Sequence, residues 1–261
     1  MAQDATRSLS PVTGGVSDRW LRVLSLLGFV LTWQLLAWWL ASDLLPSPLQ
    51  VLAACWKELI QGELLYHLGI TLLRVLVSFV IAMLIGVAVG VLMGRRKTWD
   101  SVLDGLLVIG LNIPALVTII LCYIWFGLIE VAAIAAVAIN KIPMVVVMVR
   151  EGARALDKQL LEVGEVYQLS RWLTLKKIYL PQLYPHLISA ARNGLALIWK
   201  IVLVVELLGR SNGVGFQLGT FFQLFDILGI LVYTLAFVVV ILMVEAFIMR
   251  PIEARLTRWR Q

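Results

Sequence analysis

Charge is scarce in this sequence: Asp, Glu, Lys and Arg make up 15% of 261 residues, against about 25% in soluble domains. Hydrophobic residues make up 61%, and the mean hydropathy is +0.93, which excludes water as the main solvent. Cysteine is nearly absent. Cys55 and Cys122 lie far apart and match no redox or metal spacing, so neither a disulfide framework nor a zinc site is supported; Cys122, inside an apolar run, reads as inert packing. The two histidines, His67 and His186, border apolar runs and read as interface residues. Both are remote from any Ser, Cys or carboxylate pattern that would form a nucleophile or metal site. A Gly-x-x-x-x-Gly-Lys-Ser/Thr phosphate loop is also missing, so the chain does not hydrolyse ATP by that route. The net charge of +6 would suggest nucleic acid in a soluble protein, but here the basic residues must first be placed against a bilayer, and no nucleic-acid partner is expected.

What is present is long apolar runs. A helix crosses the hydrocarbon core with about 20 mostly apolar residues. Six stretches qualify, roughly Leu21 to Ala41, Leu68 to Gly94, Val102 to Phe126, Val131 to Val149, Leu187 to Leu208 and Ile227 to Met249. A bilayer cannot satisfy open backbone, and no alternating strand pattern occurs, so the expected fold is an all-α integral membrane protein of about six transmembrane helices. The first run contains Trp33, Trp38 and Trp39 and lacks a small-residue cleavage site, which favours an uncleaved span over a signal peptide. Gly86, Gly90 and Gly94 recur on one face of the second span and allow a neighbouring helix to approach closely. Pro114 and Pro143 interrupt the third and fourth spans and suggest kinks.

Lys and Arg between the spans fix an orientation. Fifteen fall in the N-terminal tail, the second-to-third and fourth-to-fifth connections and the C-terminus; the alternate segments hold only Lys57 and Arg210. Short loops rich in cations stay in the cytoplasm, so both termini are expected there. Residues 1–18, rich in Ser, Thr and Gly, read as a flexible cytoplasmic tail, and 19–261 as the transmembrane domain. Outside, Pro46 and Pro48 open a periodic segment read as an amphipathic surface helix over about 47–65.

Ionisable residues within spans mark pathways or partners. Arg74, Lys141, Arg192, Lys200 and Glu206 are the candidates, with Asp104 and Glu245 nearer the ends. Lys141 follows Asn140 and precedes Pro143, and a cation and an amide beside a helix break suit a small anion; the alternative is a lysine contacting a carbonyl or carboxylate in the bundle. Arg192 and Lys200 lie about 80° apart on a helix, so one broad face could present both to a pore, although Arg192 could instead snorkel to the interface, as could Arg74. Glu206 and Arg210 are four residues apart and could pair at the interface.

The longest inside loop, about 150–186, has helical periodicity. Leu160, Leu161, Val163 and Val166 alternate with Lys158, Glu162 and Glu165; Ser170 can cap a second helix, which Pro181 and Pro185 are expected to stop. A protruding mixed-charge element of this kind fits a groove on a soluble partner.

The stretch from Glu162 to Pro181 resembles the cytoplasmic signature loop of ABC importer permeases, a Glu-Ala-Ala, three residues, Gly, nine residues, Ile, one residue, Leu-Pro pattern. Leu180 and Pro181 put Ile178 and Glu162 in register; Ser170, Arg171 and Trp172 are similar too. Val163 and Gly164 replace two alanines, and Gln168 replaces the glycine. Leu45-Pro-Ser-Pro48, Trp125-Phe-Gly127, Glu206-Leu-Leu-Gly209 with Gly213-Val-Gly215, and Pro251-Ile-Glu-Ala-Arg255 resemble the nitrate, sulfonate and taurine subgroup.

The resemblance implies a coupling loop between spans four and five in which Glu162, Gly164, Gln168, Ser170, Arg171, Leu180 and Pro181 dock the ATPase. It also implies a homodimer of permeases, cytoplasmic ATP-binding subunits that hydrolyse the ATP, a separate extracytoplasmic substrate-binding protein, no cofactor on this chain, and import of a small anion such as nitrate, a sulfonate or taurine. Asn140, Lys141, Lys200 and Glu206 are the candidate pathway residues, and the subgroup's glutamate at position 206 suggests gating or structure. Import of another small organic such as a thiamine precursor stays open. A self-sufficient channel or secondary transporter is the alternative from another class, though no inverted repeat of broken helices is visible.

Overall fold

The structure, a computed structural model, describes residues 17–42 and 44–257. The expected tail therefore lies outside the described residues except for Ser17 and Asp18, which begin the first helix. The described residues form helices joined by short loops: α1 Ser17–Leu40, α2 Pro48–Gln61, α3 Leu64–Arg95, α4 Lys97–Asn112, α5 Ala115–Phe126, α6 Glu130–Arg154, α7 Lys158–Val166, α8 Arg171–Thr174, α9 Leu180–Gly209, α10 Val214–Gln223, α11 Ile227–Val244 and α12 Arg250–Thr257. Among the described residues, five helical stretches are long and apolar enough to cross a membrane, and α4 with α5 makes a sixth only as a bent pair.

That pair corrects the reading of Pro114 as a kink. The α4 and α5 axes differ by 98°. The residue before a proline avoids the helical region, and Ile113 is extended at φ −71°, ψ 122°, which ends α4 outright. Pro143 leaves α6 unbroken, with its ring packed toward Gly110. Pro181 and Pro185 likewise do not stop a helix. A π-helical turn over Leu175–Tyr179 joins α8 to α9, giving one 39-residue helical run, Arg171–Gly209. A second π turn, Glu245–Met249, joins α11 to α12 and also ends two residues before a proline, Pro251. A wider turn eases the clash between a proline ring and the carbonyl behind it.

The centre of the bundle is α3, α6 and α9, with α3 and α6 in the most extensive contact. The glycine row of α3 explains this. A Cβ on Gly86 would lie 2.6 Å from the Val145 side chain, one on Gly90 2.8 Å from Val149, and one on Gly94 2.5 Å from Ala153. Each turn of α3 thus seats directly on a small or branched side chain of α6. At the end where α3 and α6 begin, Leu68, Ile119, Val137, Ile198, Val202 and Tyr233 form the main core; at the other end Val145, Val149, Leu183 and Ala190 form a second. In contrast α1 is exposed nearly throughout, with Trp38 at 80% and Trp39 at 81%, as expected of a helix facing lipid or another chain. Its tie to the body is the Trp33 indole N–H donating to the Pro46 carbonyl at 3.1 Å. Pro46 leads into α2, whose Ser47 forms a capping box with Gln50.

The glycine row yields a test. Gly90→Leu should destabilise the purified chain by at least about 2 kcal/mol through overpacking, whereas Gly28→Leu on α1, with nothing within 4 Å of its Cβ position, should leave the melting temperature in detergent unchanged.

Candidate functional site

The ends of α3, α6 and α9 that carry few cations converge on a buried polar network. Its hub is Arg74 on α3, 3% exposed. The Arg74 guanidinium donates to the Glu130 carboxylate through Nε at 2.9 Å and Nη2 at 2.6 Å, a forked pair at the first residue of α6. Nη1 donates to Glu206 Oε1 on α9 at 2.7 Å and to the Asn212 carbonyl at 2.9 Å, and Nη2 also reaches the Asn212 side chain. Arg210 completes the charge balance, donating to Glu130 Oε1 and to the Leu128 carbonyl, each at 2.6 Å. Two guanidiniums thus face two carboxylates. A charge in a low-dielectric interior is tolerated only when paired and hydrogen-bonded.

Glu206 is fully buried. Its Oε2 accepts from the Thr71 hydroxyl at 2.9 Å and from the Gly215 N–H at 2.8 Å, near the start of α10. A carboxylate on a neighbouring helix therefore satisfies an amide that α10 leaves open, where the helix dipole favours negative charge. The two preceding amides of this turn are also bound: the Gly213 N–H donates to His67 Nδ1 at 2.9 Å, and the Val214 N–H donates to Thr71 Oγ1 at 2.8 Å. Because His67 Nδ1 accepts, its proton in the neutral ring sits on Nε2, which lies 2.7 Å from the Gln217 amide. The Gln217 oxygen must then face the ring. The Gly213-Val-Gly215 motif follows from this geometry. Gly213 has φ +106°, and a Cβ there would lie 2.4 Å from the Glu206 carboxyl; one on Gly215 would lie 2.2 Å from the Leu203 carbonyl.

These contacts revise several expectations. Glu206 pairs with Arg74 and not with Arg210 four residues on. Arg74 does not snorkel, and His67 is a buried member of the network, not an interface residue. Glu130, Thr71 and Asn212 escaped the sequence reading. The only local hint was that a lone intramembrane arginine needs carboxylates, and its partners come from segments far away in sequence. Arg192 is bound to Glu245 and, at 3.0 Å, to Glu253, so it does not share the free face of Lys200. Lys200 is exposed on α9, aligned with the exposed Ser189, Asn193 and Ala196, and makes no hydrogen bond or ion pair among the described residues. Asn140 is half-buried on α6. Lys141 beside it is 3% exposed, inside the helix bundle, also without a hydrogen bond or ion pair among the described residues.

At the opposite end, Arg150 holds Asp104 at 2.6 Å and Arg154 holds Asp100, so α4 is tied to the end of α6. Beyond lies the 155–179 element. Its turn keeps the geometry a glycine would give: Gln168 has φ +51°, and the Leu169 N–H donates to the Gly164 carbonyl at 2.9 Å, a Schellman closure of α7. Ser170 caps α8 by accepting from the Leu173 N–H at 3.3 Å. Gly164 is buried, its Cβ position 2.9 Å from Ile178 Cδ1, so the missing methyl lets α7 close onto the π turn. Glu162, Ser170 and Arg171 are exposed, Leu180 and Pro181 half-buried at the start of α9. Val166, Tyr167 and Trp172 stand 70–79% exposed at the tip.

Residues 82–258 match the family model described as binding-protein-dependent transport system inner membrane component. The chain belongs to that family. The permease is 28% identical to the aliphatic sulfonates transport permease SsuC of Bacillus subtilis (strain 168), over 84% of this chain and 79% of that one. It is 32% identical to SsuC of Escherichia coli (strain K12), over 72% and 73%, and 25% identical to the taurine transport permease TauC of the same strain, over 86% of each. Its fold matches the inward-facing MetNI methionine ABC transporter with a TM-score of 0.65 at 19% identity, covering 76% of this chain and 98% of that one. It is an ABC importer permease subunit, a membership that implies an ATP-binding subunit and a substrate-binding protein as partners.

The tight turn over Glu206 gives the site's test. Gly215→Ala should lower the melting temperature of the purified permease by several degrees, whereas Gly219→Ala, with its nearest neighbour 3.6 Å away, should be neutral.

Proposed function

We propose that the permease imports a small sulfonate, with taurine or nitrate as the related alternatives, as a homodimer whose two α9 helices line the pathway, with both termini in the cytoplasm. The observation that carries this reading is Lys200, a free cation on an exposed helical stripe with Ser189, Asn193 and Ala196. A lysine facing lipid at this depth is costly; a lysine facing a water-filled passage for anions is not. The relatives named for sulfonates and taurine favour the same substrate class. Lys141, 3% exposed in α6, is a second lysine within the spans. The cation-rich ends of α3, α6 and α9 support the orientation.

Coupling enters at the 155–179 element. Val166, Tyr167 and Trp172 present apolar surface beside the charged Glu162 and Arg171, the composition of an element seated in a partner's groove. Because α8 continues through the π turn into α9, a displacement of the docked element reaches the pathway along a single run of roughly 58 Å. No loop intervenes to absorb it. ATP-driven approach of the two ATPase subunits would rotate or tilt the α9 pair and so open the passage alternately to either side.

The permease with its ATPase subunits and binding protein, reconstituted in vesicles, should take up labelled taurine or an alkanesulfonate only when ATP is present on the ATPase side. Trp172→Ala should reduce co-purification of the ATPase. Lys200→Ala and Lys141→Ala should retain the ATPase and lower uptake about tenfold. Uptake without ATP would remove the importer reading, and normal uptake by Lys200→Ala would remove α9 from the pathway.

A further inference from the structure

Where the last turns of α3 and α6 meet the 155–179 element, a cleft of about 1050 Å³ opens, bordered by Gly94, Arg95, Arg96, Arg154, Arg171 and Tyr179 among others. Four guanidiniums line it, and no carboxylate among the described residues does. Arg154 is bound to Glu151 and Asp100. Arg95, Arg96 and Arg171 make no ion pair among the described residues, so three uncompensated cations share one concavity. Its inner wall is Tyr179, 5% exposed, with the Arg95 guanidinium 5.1 Å from its ring centre and a hydroxyl that has no hydrogen-bond partner among the described residues.

Like charges gathered in this way repel one another unless an anion sits between them. Planar, multidentate guanidinium donors match the tetrahedral oxygens of phosphate. The depth of the cleft selects the source. Gly94 belongs to the final apolar turn of α3 and Ala153 to the charged last turn of α6, between Arg150 and Arg154, so the cleft lies where the apolar runs give way to arginines, which is the level of the lipid headgroups. We propose that this cleft binds the phosphate of an anionic phospholipid headgroup at the inner leaflet, bracing the ends of α3 and α6 against the docking element. The proposal rests on the orientation given above; the binding itself requires neither ATPase nor transported substrate.

The test uses the full-length permease in phosphatidylcholine nanodiscs containing a minor share of phosphatidylglycerol, with retained lipid counted by native mass spectrometry after partial delipidation. Wild type should retain phosphatidylglycerol over phosphatidylcholine, and Arg95→Gln/Arg96→Gln should weaken that retention about tenfold or more, with its melting temperature in pure phosphatidylcholine unchanged. Inorganic phosphate at millimolar concentration competing the lipid away would support the same phosphate chemistry and mark a soluble source. Equal retention of the two lipids by wild type, or equal phosphatidylglycerol retention by wild type and variant, would overturn the proposal. So would crosslinks from Arg96→Cys to the ATPase subunit in the assembled complex, which would assign the cleft to a protein contact. Accessibility of that same cysteine to an impermeant reagent in sealed vesicles separately tests the orientation.

Discussion

The Arg74 guanidinium is the interaction on which the rest of this permease depends. One side chain on α3 reaches Glu130 at the start of α6, Glu206 near the end of α9 and Asn212 in the turn before α10. In a bilayer the helices gain little from hydrophobic association, because lipid is as apolar as leucine. Close glycine packing holds α3 to α6 along their length, but it does not set where α9 stops or where α10 turns back. Arg74 and Glu206 set both; this buried pair is balanced at the rim of the bundle by Arg210 and the half-exposed Glu130.

Seen from this hub, α9 has two unlike ends. One end grows out of the 155–179 element through a π turn, and the other inserts Glu206 beneath the first amides of α10. The exposed Ser189, Asn193 and Lys200 lie between them. A force applied at the 155–179 end would act on a helix anchored at its far end by a charge cluster, which favours tilting or rotation about that anchor over simple sliding.

Much of this was legible in the sequence where the signal was local and repeated. Apolar runs of bilayer length, the Gly86, Gly90, Gly94 row and the Ser170 cap all depend on spacing within one helix, and the signature loop from Glu162 to Pro181 brought the family with it. Proline was read less well. Pro114 broke its span by 98°, while Pro143, Pro181 and Pro185 stayed within helices, because a neighbouring helix or a π turn can accommodate a missing N–H and a local rule does not see neighbours. The charge cluster was read worst. A four-residue spacing pointed Glu206 to Arg210, whereas the fold delivers Arg74 from 132 positions away. Such a partner is chosen by helix packing, which a single sequence does not encode in any short window. Gln168 is a subtler case: the side chain departs from the family glycine, yet the backbone keeps the left-handed turn, at a cost of order 1 kcal/mol.

The clamp is tested most directly by a double-mutant cycle on the purified permease, comparing the unfolding free energies of Arg74→Met, Glu206→Leu and the double variant. Each single change strands a buried charge or polar partner and should cost about 3–5 kcal/mol; the double variant removes both and should lose clearly less than the sum. Strictly additive losses would contradict the account, because they would mean that Arg74 and Glu206 stabilise the bundle independently and that no shared clamp joins α3 to the end of α9.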